Sequence, residues 1–159
     1  MKKKGCPECG GNMTQKNPSI TVRVADKRVK DGSMSLPTCD KCGYYELSQA
    51  ELEKMERRAA ITVLNGVDGP SGGVLKFARK ALGLRQADLA RALGTASETV
   101  SRWEANERID RTVSLAVAHL LGMKEQEPEQ LDLLVQSDGD EPSVHPPPAA
   151  RRQKRTATG

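Results

Sequence analysis

The sequence predicts an α+β protein of two domains, a small β module followed by an all-α unit, and three observations lead to this prediction. Four cysteines fall in two close pairs near the amino terminus. The segment between those pairs contains a run in which apolar and polar residues alternate, which is typical of a strand. From about residue 49 the apolar residues recur every three or four positions, which is typical of helices.

Turn signals and composition divide the chain into five segments. We predict a cysteine module at 1–45, a linker helix at 46–66, a flexible linker at 67–73, a helical domain at 74–135 and a disordered tail at 136–159. The tail is polar and proline-rich and almost lacks apolar residues. The linker is rich in glycine, so we expect the domains on either side of it to move relative to each other.

The charge is uneven along the chain, although its total is only +4. Residues 1–45 carry nine Lys and Arg against four acids, and residues 71–123 carry eight against five. Basic segments favour nucleic acid as a partner, although charge runs are more often solvated surface. No apolar run follows the lysines at 2–4, and no stretch reaches membrane-spanning length. We therefore expect a cytoplasmic protein without a membrane partner.

Cys6-x-x-Cys9 and Cys39-x-x-Cys42 are two copies of one arrangement, each followed by a glycine. Each turn brings two thiolates to one cation, so the two turns together supply a closed tetrahedral set suited to one Zn²⁺. Four sulfurs leave no open coordination position, so the site is predicted to be structural. In a reducing compartment, paired cysteines indicate metal more often than disulfides. A redox dithiol and an iron site are the alternatives, although the βαβ context of a redox Cys-x-x-Cys is absent.

The residues between the cysteine pairs are predicted to form a small β ribbon. Ile20–Val24 alternates like a strand, and Val29–Leu36, with a turn at Asp31-Gly32, is expected to pair with it. With the cysteines, this makes a zinc-ribbon-like module. The sequence does not decide whether the module contacts DNA or protein. A helix is predicted to follow at 49–64, because Ser48 and Glu51 have capping-box spacing.

Apolar spacing in the carboxy-terminal half predicts several short helices. We place them at 74–82, 85–93, 97–105, from about 110 to Gly122, and at 128–135. A tight turn at Gly94 joins the second to the third, whose apolar face holds Val100 and Trp103. Trp103 is therefore assigned to the core rather than to stacking on bases. A short helix with an apolar back and a polar front, set on a partner helix, fits a DNA major groove. The sequence thus predicts a helix-turn-helix.

Residues 74–122 resemble the Cro/C1-type (XRE) family, whose domains are lambda-repressor-like. The shared pattern is Leu84-x-Gln86-x-x-Leu89-Ala90-x-x-Leu93-Gly94, then Thr99-Val100-Ser101-Arg102-Trp103-Glu104. The resemblance implies that Gln86 contacts a phosphate and that the third helix, at 97–105, presents side chains to base edges. Arg102 suits this role because a guanidinium can bond G O6 and N7 together. The resemblance also implies a structural ion pair between Arg79 and Glu104.

The residues predicted to contact DNA are Arg85, Gln86, Thr95, Ser97, Glu98, Thr99 and Arg102. Arg85 stands where the family usually has Ser or Thr; it cannot cap the helix but can reach a phosphate. Glu98 suits capping equally well, because Thr95 to Glu98 has capping-box spacing. The two histidines, His119 and His145, lie near no ligand pattern. No hydrolytic constellation can be assembled from them, so the protein is not predicted to be an enzyme.

The order of cysteine module, capped helix and helix-turn-helix resembles the MqsA family of type II antitoxins (YgiT-type zinc finger) over residues 1–122. The resemblance implies a homodimer that binds a palindromic operator in double-stranded DNA and represses its own toxin–antitoxin operon. It also implies that the zinc module neutralises a cognate toxin, an mRNA-cleaving ribonuclease in the best-known members. Two alternatives remain: a zinc-ribbon helix-turn-helix transcription regulator with no toxin partner, and a redox-responsive protein that uses its thiolates.

Overall fold

The computed structural model describes residues 5–136, and over that range the predicted fold class is confirmed. Four strands precede six helices: β1 (Met13–Lys16), β2 (Ile20–Val24), β3 (Lys27–Asp31), β4 (Leu36–Cys39), α1 (Gln49–Leu64), α2 (Gly72–Leu82), α3 (Gln86–Ala92), α4 (Ser97–Ala105), α5 (Arg111–Gln126) and α6 (Pro128–Gln136). None of the helices in this range has both the length and the apolarity needed to cross a membrane. The tail predicted at 136–159 lies outside the described residues, apart from Gln136.

The strands form two separate antiparallel pairs. β1 pairs with β4, with Met13 opposite Cys39, and β2 pairs with β3, with Ile20 opposite Asp31. The second pair therefore forms a hairpin that is inserted between the two strands of the first. The cysteine pairs flank the β1–β4 sheet, since Cys6 and Cys9 precede β1 and Cys39 is the last residue of β4.

The predicted strand at Ile20–Val24 is confirmed, and Val29, at the start of its predicted partner, does lie opposite Val22. The partner strand is Lys27–Asp31, however, and does not extend to Leu36. The chain turns at Ala25-Asp26, where Ala25 has a positive φ of 53°, and not at Asp31-Gly32. Asp31 instead ends β3, because its Oδ1 accepts hydrogen bonds from the Ser33 N–H (2.8 Å) and hydroxyl (2.6 Å). This local bonding turns the chain toward β4.

One apolar core joins the hairpin to the helices. It contains 19 buried residues, which come from β2, from the loop after α4 and from all six helices. β2 contributes Val22 and Val24, and the helix predicted as a linker, α1, contributes Met55, Ala59, Ala60 and Leu64. The hairpin and α1 are therefore packed against the helical domain rather than standing apart from it.

Both ends of α1 are fixed by side-chain hydrogen bonds. The predicted capping box is confirmed: Ser48 Oγ accepts from the Glu51 N–H at 3.2 Å, and the Glu51 carboxylate accepts from the Ser48 N–H at 2.7 Å. At the other end, the Arg111 guanidinium and the Ser114 hydroxyl both donate to the carbonyl of Leu64. These bonds satisfy carbonyls that a helix end leaves without partners and tie α1 to α5.

The segment predicted as a flexible linker, 67–73, makes specific contacts in the structure. Pro70 and Gly72 are buried. The Ile109 N–H donates to the Pro70 carbonyl at 3.0 Å, and the Gly72 N–H donates to the Asn106 carbonyl at 2.9 Å. As a result, α2 begins at Gly72 rather than at residue 74. The domain boundary at 67–73 stays a prediction.

The fourth helix of the helical domain, α5, does not end at Gly122 as predicted. It continues to Gln126, because Met123 packs against the apolar core and Gly122 is accommodated inside the helix. Pro128 supplies the break, since a proline disfavours helical geometry in the residue before it. Glu127 accordingly leaves the helix with φ −141° and ψ 63°.

Candidate functional site

The two cysteine pairs sit in turns of the same geometry. In the first, the Cys6 N–H donates to the Gly11 carbonyl and the Gly10 N–H donates back to the Cys6 carbonyl, both at 2.8 Å. In the second, Cys39 and Gly43 make the equivalent bonds, with the Tyr44 carbonyl in the place of Gly11. Gly10 and Gly43 have φ values of 66° and 76°, which L side chains rarely adopt. We call these two turns the cysteine knuckles.

The knuckles bring the four sulfurs together. Cys6 Sγ lies 3.7 Å from Cys42 Sγ, Cys9 Sγ lies 3.5 Å from Cys39 Sγ, and all four atoms lie within 4.8 Å of one another. A tetrahedral ion with sulfur bonds of about 2.3 Å separates its ligands by about 3.8 Å. The spacing therefore fits one metal ion, and the four-cysteine cluster can bind it. Four sulfurs would occupy all the coordination positions of a tetrahedral ion and leave none for a substrate, which suits a structural role.

The surroundings of Cys39 favour the thiolate form that metal binding requires. Backbone N–H groups of Cys42 and Lys41 point at the Cys39 sulfur and lower the pKa of that thiol to about 6. At Cys9 and Cys42 the backbone N–H groups of Gly11 and Tyr44 act in the same direction, but the neighbouring thiols and burial outweigh them and raise the pKa of both groups.

Asp40, next to Cys39 in the second knuckle, contacts two side chains of β1. Its carboxylate accepts a hydrogen bond from the Thr14 hydroxyl and pairs with Lys16, both at 2.7 Å. Asp40 therefore joins the second knuckle to β1.

Gly11 is a residue of this centre that the sequence analysis missed. A Cβ at this position would lie 2.9 Å from Cys39 Sγ and 3.2 Å from Cys9 Sγ. The first distance is shorter than real Cβ atoms show and the second is tight, so a side chain here would have to displace a cysteine sulfur, and the space beside the sulfurs favours glycine. The Gly10-Gly11 doublet after Cys9 is the signal that could have revealed it.

The helical half holds α3 and α4 at a fixed angle through a turn centred on Gly94. The Gly94 N–H donates to the Arg91 carbonyl at 3.0 Å, and the Thr95 N–H donates to the Ala90 carbonyl at 2.9 Å. Gly94 has φ 63°, as the predicted turn requires. These two bonds form a Schellman motif, which ends α3 and redirects the chain into α4.

A partly buried ionic network joins α4 to α2 and α3. Arg79 Nε and Nη2 donate to the Glu104 carboxylate at 2.6 and 3.1 Å, and Arg79 Nη1 donates to the Leu84 carbonyl at 2.9 Å. Gln86 Nε2 donates to the same carboxylate at 2.8 Å. Burial alone would raise the pKa of Glu104, but the bonds from Arg79 and Gln86 hold it below its ordinary value. The structure thus contains the ion pair that the resemblance implied.

Gln86 has a structural bond that sequence reasoning did not foresee. One donor of its amide is committed to Glu104, on the far side of the helix-turn-helix in sequence. Its other N–H has no partner within residues 5–136, so it can still donate to a phosphate. The bond to Glu104 fixes where that second donor points.

Arg85 occupies the N-cap position of α3 and makes no side-chain cap, because a guanidinium has no acceptor. Asp88 takes over instead: its carboxylate accepts from the Arg85 N–H at 3.0 Å. The same carboxylate binds the Arg85 guanidinium at 2.9 and 3.1 Å and Arg91 at 3.2 Å. Hydrogen bonds from Arg85 hold the pKa of Asp88 below its ordinary value. The Arg85 side chain nevertheless remains 81 % exposed.

The outer face of α4 is polar and free of internal bonds. Glu98 and Arg102 are exposed one turn apart, and Ser97 and Thr99 are half-buried beside them. The predicted capping box of Thr95 and Glu98 does not form, because the N-cap is Ala96 and has no side-chain bond. Within residues 5–136, none of these polar side chains has a hydrogen-bond or ion-pair partner. Val100 is buried and Trp103 packs against the core, so α4 has an apolar back and a polar front.

Comparison with known proteins identifies the helical half. Residues 75–127 match the family model described as Helix-turn-helix. No curated protein matches the chain. The match and the geometry of α3 and α4 confirm the predicted helix-turn-helix and define the class of this protein: a DNA-binding regulator that recognises double-stranded DNA in a sequence-specific manner.

Proposed function

We propose that this protein is the antitoxin of a toxin–antitoxin pair, which represses its own operon and neutralises a cognate toxin through its cysteine module. The toxin is proposed to be an mRNA-cleaving ribonuclease, and the site of action is proposed to be the cytoplasm. One observation carries the proposal: a four-cysteine centre, a capped helix and a helix-turn-helix occur in this order in one chain. Helix-turn-helix domains serve many regulators, so the cysteine centre is what directs the proposal to antitoxins.

We further propose that the cysteine centre holds one zinc ion with a structural role. Cys6, Cys9, Cys39 and Cys42 would supply its four ligands, and the protein itself would catalyse no reaction. Metal analysis of the purified protein is expected to find one zinc per chain. Recovery of a reversible disulfide without bound metal would favour the redox alternative instead.

DNA recognition is proposed to use a homodimer that places two copies of α4 in successive major grooves of a palindrome. The half-sites would lie about 34 Å apart, one turn of the duplex. Arg102 would contact a guanine, with Ser97, Glu98 and Thr99 beside it. Thr95, Arg85 and the free donor of Gln86 would contact the flanking backbone. The support is the unbonded polar front of α4.

The variant Arg102→Ala tests this assignment. Removing a bidentate guanidinium is expected to weaken operator binding by about 1–3 kcal/mol and to relax preference at one base pair. The measurement is the affinity for operator fragments that differ by single base pairs. Lys54→Ala, which removes an exposed cation from α1, is the matched control. Unchanged affinity and base preference in a folded Arg102→Ala protein would refute the role of α4.

The toxin proposal is tested with the gene that neighbours this one. Expression of that gene alone is expected to arrest growth, and co-expression of the full chain is expected to restore it. The double variant Cys9→Ser/Cys39→Ser should fail to restore growth while it still binds the operator. If expression of the neighbouring gene does not arrest growth, the toxin proposal is refuted. The protein would then be a zinc-ribbon transcription regulator, and its proposed DNA binding would be unaffected.

A further inference from the structure

The hairpin formed by β2 and β3 carries a row of positive charge on its outer face. Its register places Arg23 directly opposite Arg28, and Thr21 directly opposite Lys30. Side chains alternate along a strand, so these residues lie on the face opposite to buried Val22. All four outer side chains are exposed. We call Arg23, Arg28 and Lys30 the hairpin cations.

This arrangement has a cost in stability that no ion pair within residues 5–136 offsets. Like charges directly opposite each other in a β pair are destabilising, and Arg23 and Arg28 stand in such a pair. No carboxylate of the described chain forms an ion pair with any hairpin cation. The two acids of the hairpin are engaged elsewhere: Asp26 with Ser71 and Lys27, and Asp31 with Ser33. The hairpin cations therefore lack a counter-charge of their own.

The DNA-reading helices, in contrast, have no excess of positive charge. Residues 85–105 contain three arginines and three acids. Two of those arginines, Arg85 and Arg91, are bonded to Asp88. Most of a protein's sequence-independent affinity for DNA comes from cations that neutralise phosphates. The helix-turn-helix alone supplies little of that attraction.

The hairpin and α4 also belong to one packed unit. Val22 and Val24 of β2 lie in the same apolar core as Val100 of α4. At the tip of the hairpin, the Ser71 hydroxyl at the start of α2 lies 3.4 Å from Asp26 Oδ1. A cationic surface that belongs to the same packed unit as a DNA reader loses little entropy when both contact one duplex.

We propose that the hairpin cations are a second contact of this protein with the phosphate backbone of double-stranded DNA. The anion is assigned to DNA because the same packed unit already binds that polyanion. The helix-turn-helix determines which sequence is bound, and the hairpin adds attraction that is independent of sequence. This inference rests on DNA binding by the helical half and not on the existence of a toxin.

The test is the salt dependence of binding to a 30-base-pair duplex of mixed sequence, which needs neither the operator nor a toxin. The variant Arg23→Gln/Arg28→Gln removes two hairpin cations and keeps long, polar side chains at both positions. Each lost phosphate contact lowers the slope of log affinity against log salt by about 0.9. We expect a slope about 1.8 less steep and an affinity loss of up to roughly 60-fold in 0.1 M salt.

The matched control is Lys54→Gln/Lys124→Gln, which removes the same charge from α1 and α5. If both double variants lose affinity equally, the effect is one of net charge and the proposal is overturned. It is also overturned if Arg23→Gln/Arg28→Gln binds the duplex as the unchanged protein does. Loss of binding to a single-stranded RNA or to an acidic protein, with duplex binding intact, would assign the surface to that partner instead.

Two further measurements separate this effect from misfolding and from failure of α4. The Arg23→Gln/Arg28→Gln protein should melt at the same temperature as the unchanged protein or higher, because the change relieves like-charge repulsion. In the Arg102→Ala background, the hairpin change should still reduce the salt slope. A slope that is insensitive to the hairpin but sensitive to the helix-turn-helix would refute the second contact alone.

Discussion

The sheet beside the four cysteines and the helical body of this protein differ in how they are held together. In the segments 5–16 and 36–48, which contain the cysteine knuckles and the β1–β4 sheet, only Cys6, Leu36, Thr38 and Cys39 are buried. None of these four belongs to the apolar core of 19 residues. The helical body and the β2–β3 hairpin share that core. One chain thus combines a region whose four cysteines can bind a metal ion with a region that is held together by burial of apolar surface.

The difference explains why the insertion of the hairpin matters. The β2–β3 hairpin lies in sequence between the knuckles, but its buried side chains belong to the helical body. A small sheet with four buried residues cannot bury enough apolar surface to fold alone. The four cysteines of the knuckles can supply the missing stability by binding a metal ion, and the hairpin gains its stability from the helices.

Removal of the metal is the largest test of this comparison. A structural zinc site contributes on the order of 10 kcal/mol to the fold that it organises. Treatment with a strong chelator is expected to expose the backbone amides of β1 and β4 to hydrogen exchange. Amides of α2 to α5 and of the β2–β3 hairpin should keep their protection, and the helical circular dichroism should be retained. Loss of helix on chelation would show that the two regions are not held by separate forces.

The substitution Gly72→Ala is expected to destabilise the helical body. A Cβ at Gly72 would overlap the backbone carbonyls of Trp103 and Glu104, which cannot move without displacing α4. We expect a loss of about 3 kcal/mol or more in the free energy of unfolding, measured with urea. Metal binding by the cysteine knuckles should be unchanged.

The matched control is the next residue along the chain. At Gly73, a Cβ would meet Ala25 Cβ at 3.3 Å and Ser71 Oγ at 3.5 Å, which are side-chain atoms rather than backbone carbonyls. Gly73→Ala is expected to change stability by less than about 1 kcal/mol, because alanine also favours the helix. If the two variants lose the same free energy of unfolding, the close approach of α2 to α4 is not the reason why residue 72 must be glycine.

The pH dependence of stability tests the contribution of Glu104 to the helical body, and its expected effect is smaller. Its pKa in the folded protein lies below its ordinary value of 4.5, so its stabilising contribution is present above that value. The contribution is lost as the pH falls below 4.5 through the folded pKa. Breaking a buried ion pair costs about 3 kcal/mol, so Glu104→Gln should lower stability at pH 7 by about that amount. Its stability should then depend less on pH between 5 and 3.

The comparison for Glu104 is Glu51→Gln. The Ser48 hydrogen bonds also hold the pKa of Glu51 below its ordinary value, but the Glu51 carboxylate lies at the surface of α1. Its replacement is expected to cost less than the replacement of Glu104, because water can solvate the Ser48 N–H that it leaves without a partner. Equal effects of the two substitutions would mean that the Arg79–Glu104 network does not organise the body.

The two regions also differ in how much of them the sequence predicted. Helix α1 was predicted at both ends, because Ser48, Glu51 and the apolar spacing are local signals. The pairing of β1 with β4 was missed, since MTQK and LPTC show no alternation and are brought together by distant cysteines. The hairpin turn was misplaced because alanine at a positive φ gives no turn signal.

The same distinction applies to the candidate sites. The four cysteines were predicted as one cluster because their spacing is local and duplicated, and the structure groups them. The bond from Gln86 to Glu104 and the exclusion of side chains at Gly11 and Gly72 depend on contacts between residues far apart in sequence. Local patterns contain no information about such contacts, so only the fold reveals them.

The position of the hairpin within the cysteine module also determines the order in which the protein can assemble. All four sulfur ligands lie within the first 42 residues, and the helices begin at residue 49. A growing chain folds from its amino terminus, so the metal can close the loop from Cys9 to Cys39 before any helix has been made. Closing that loop early lowers the entropy that the hairpin loses later, when it docks on the helices. A metal ion bound by the four cysteines during synthesis would therefore assist the docking of the hairpin on the helices.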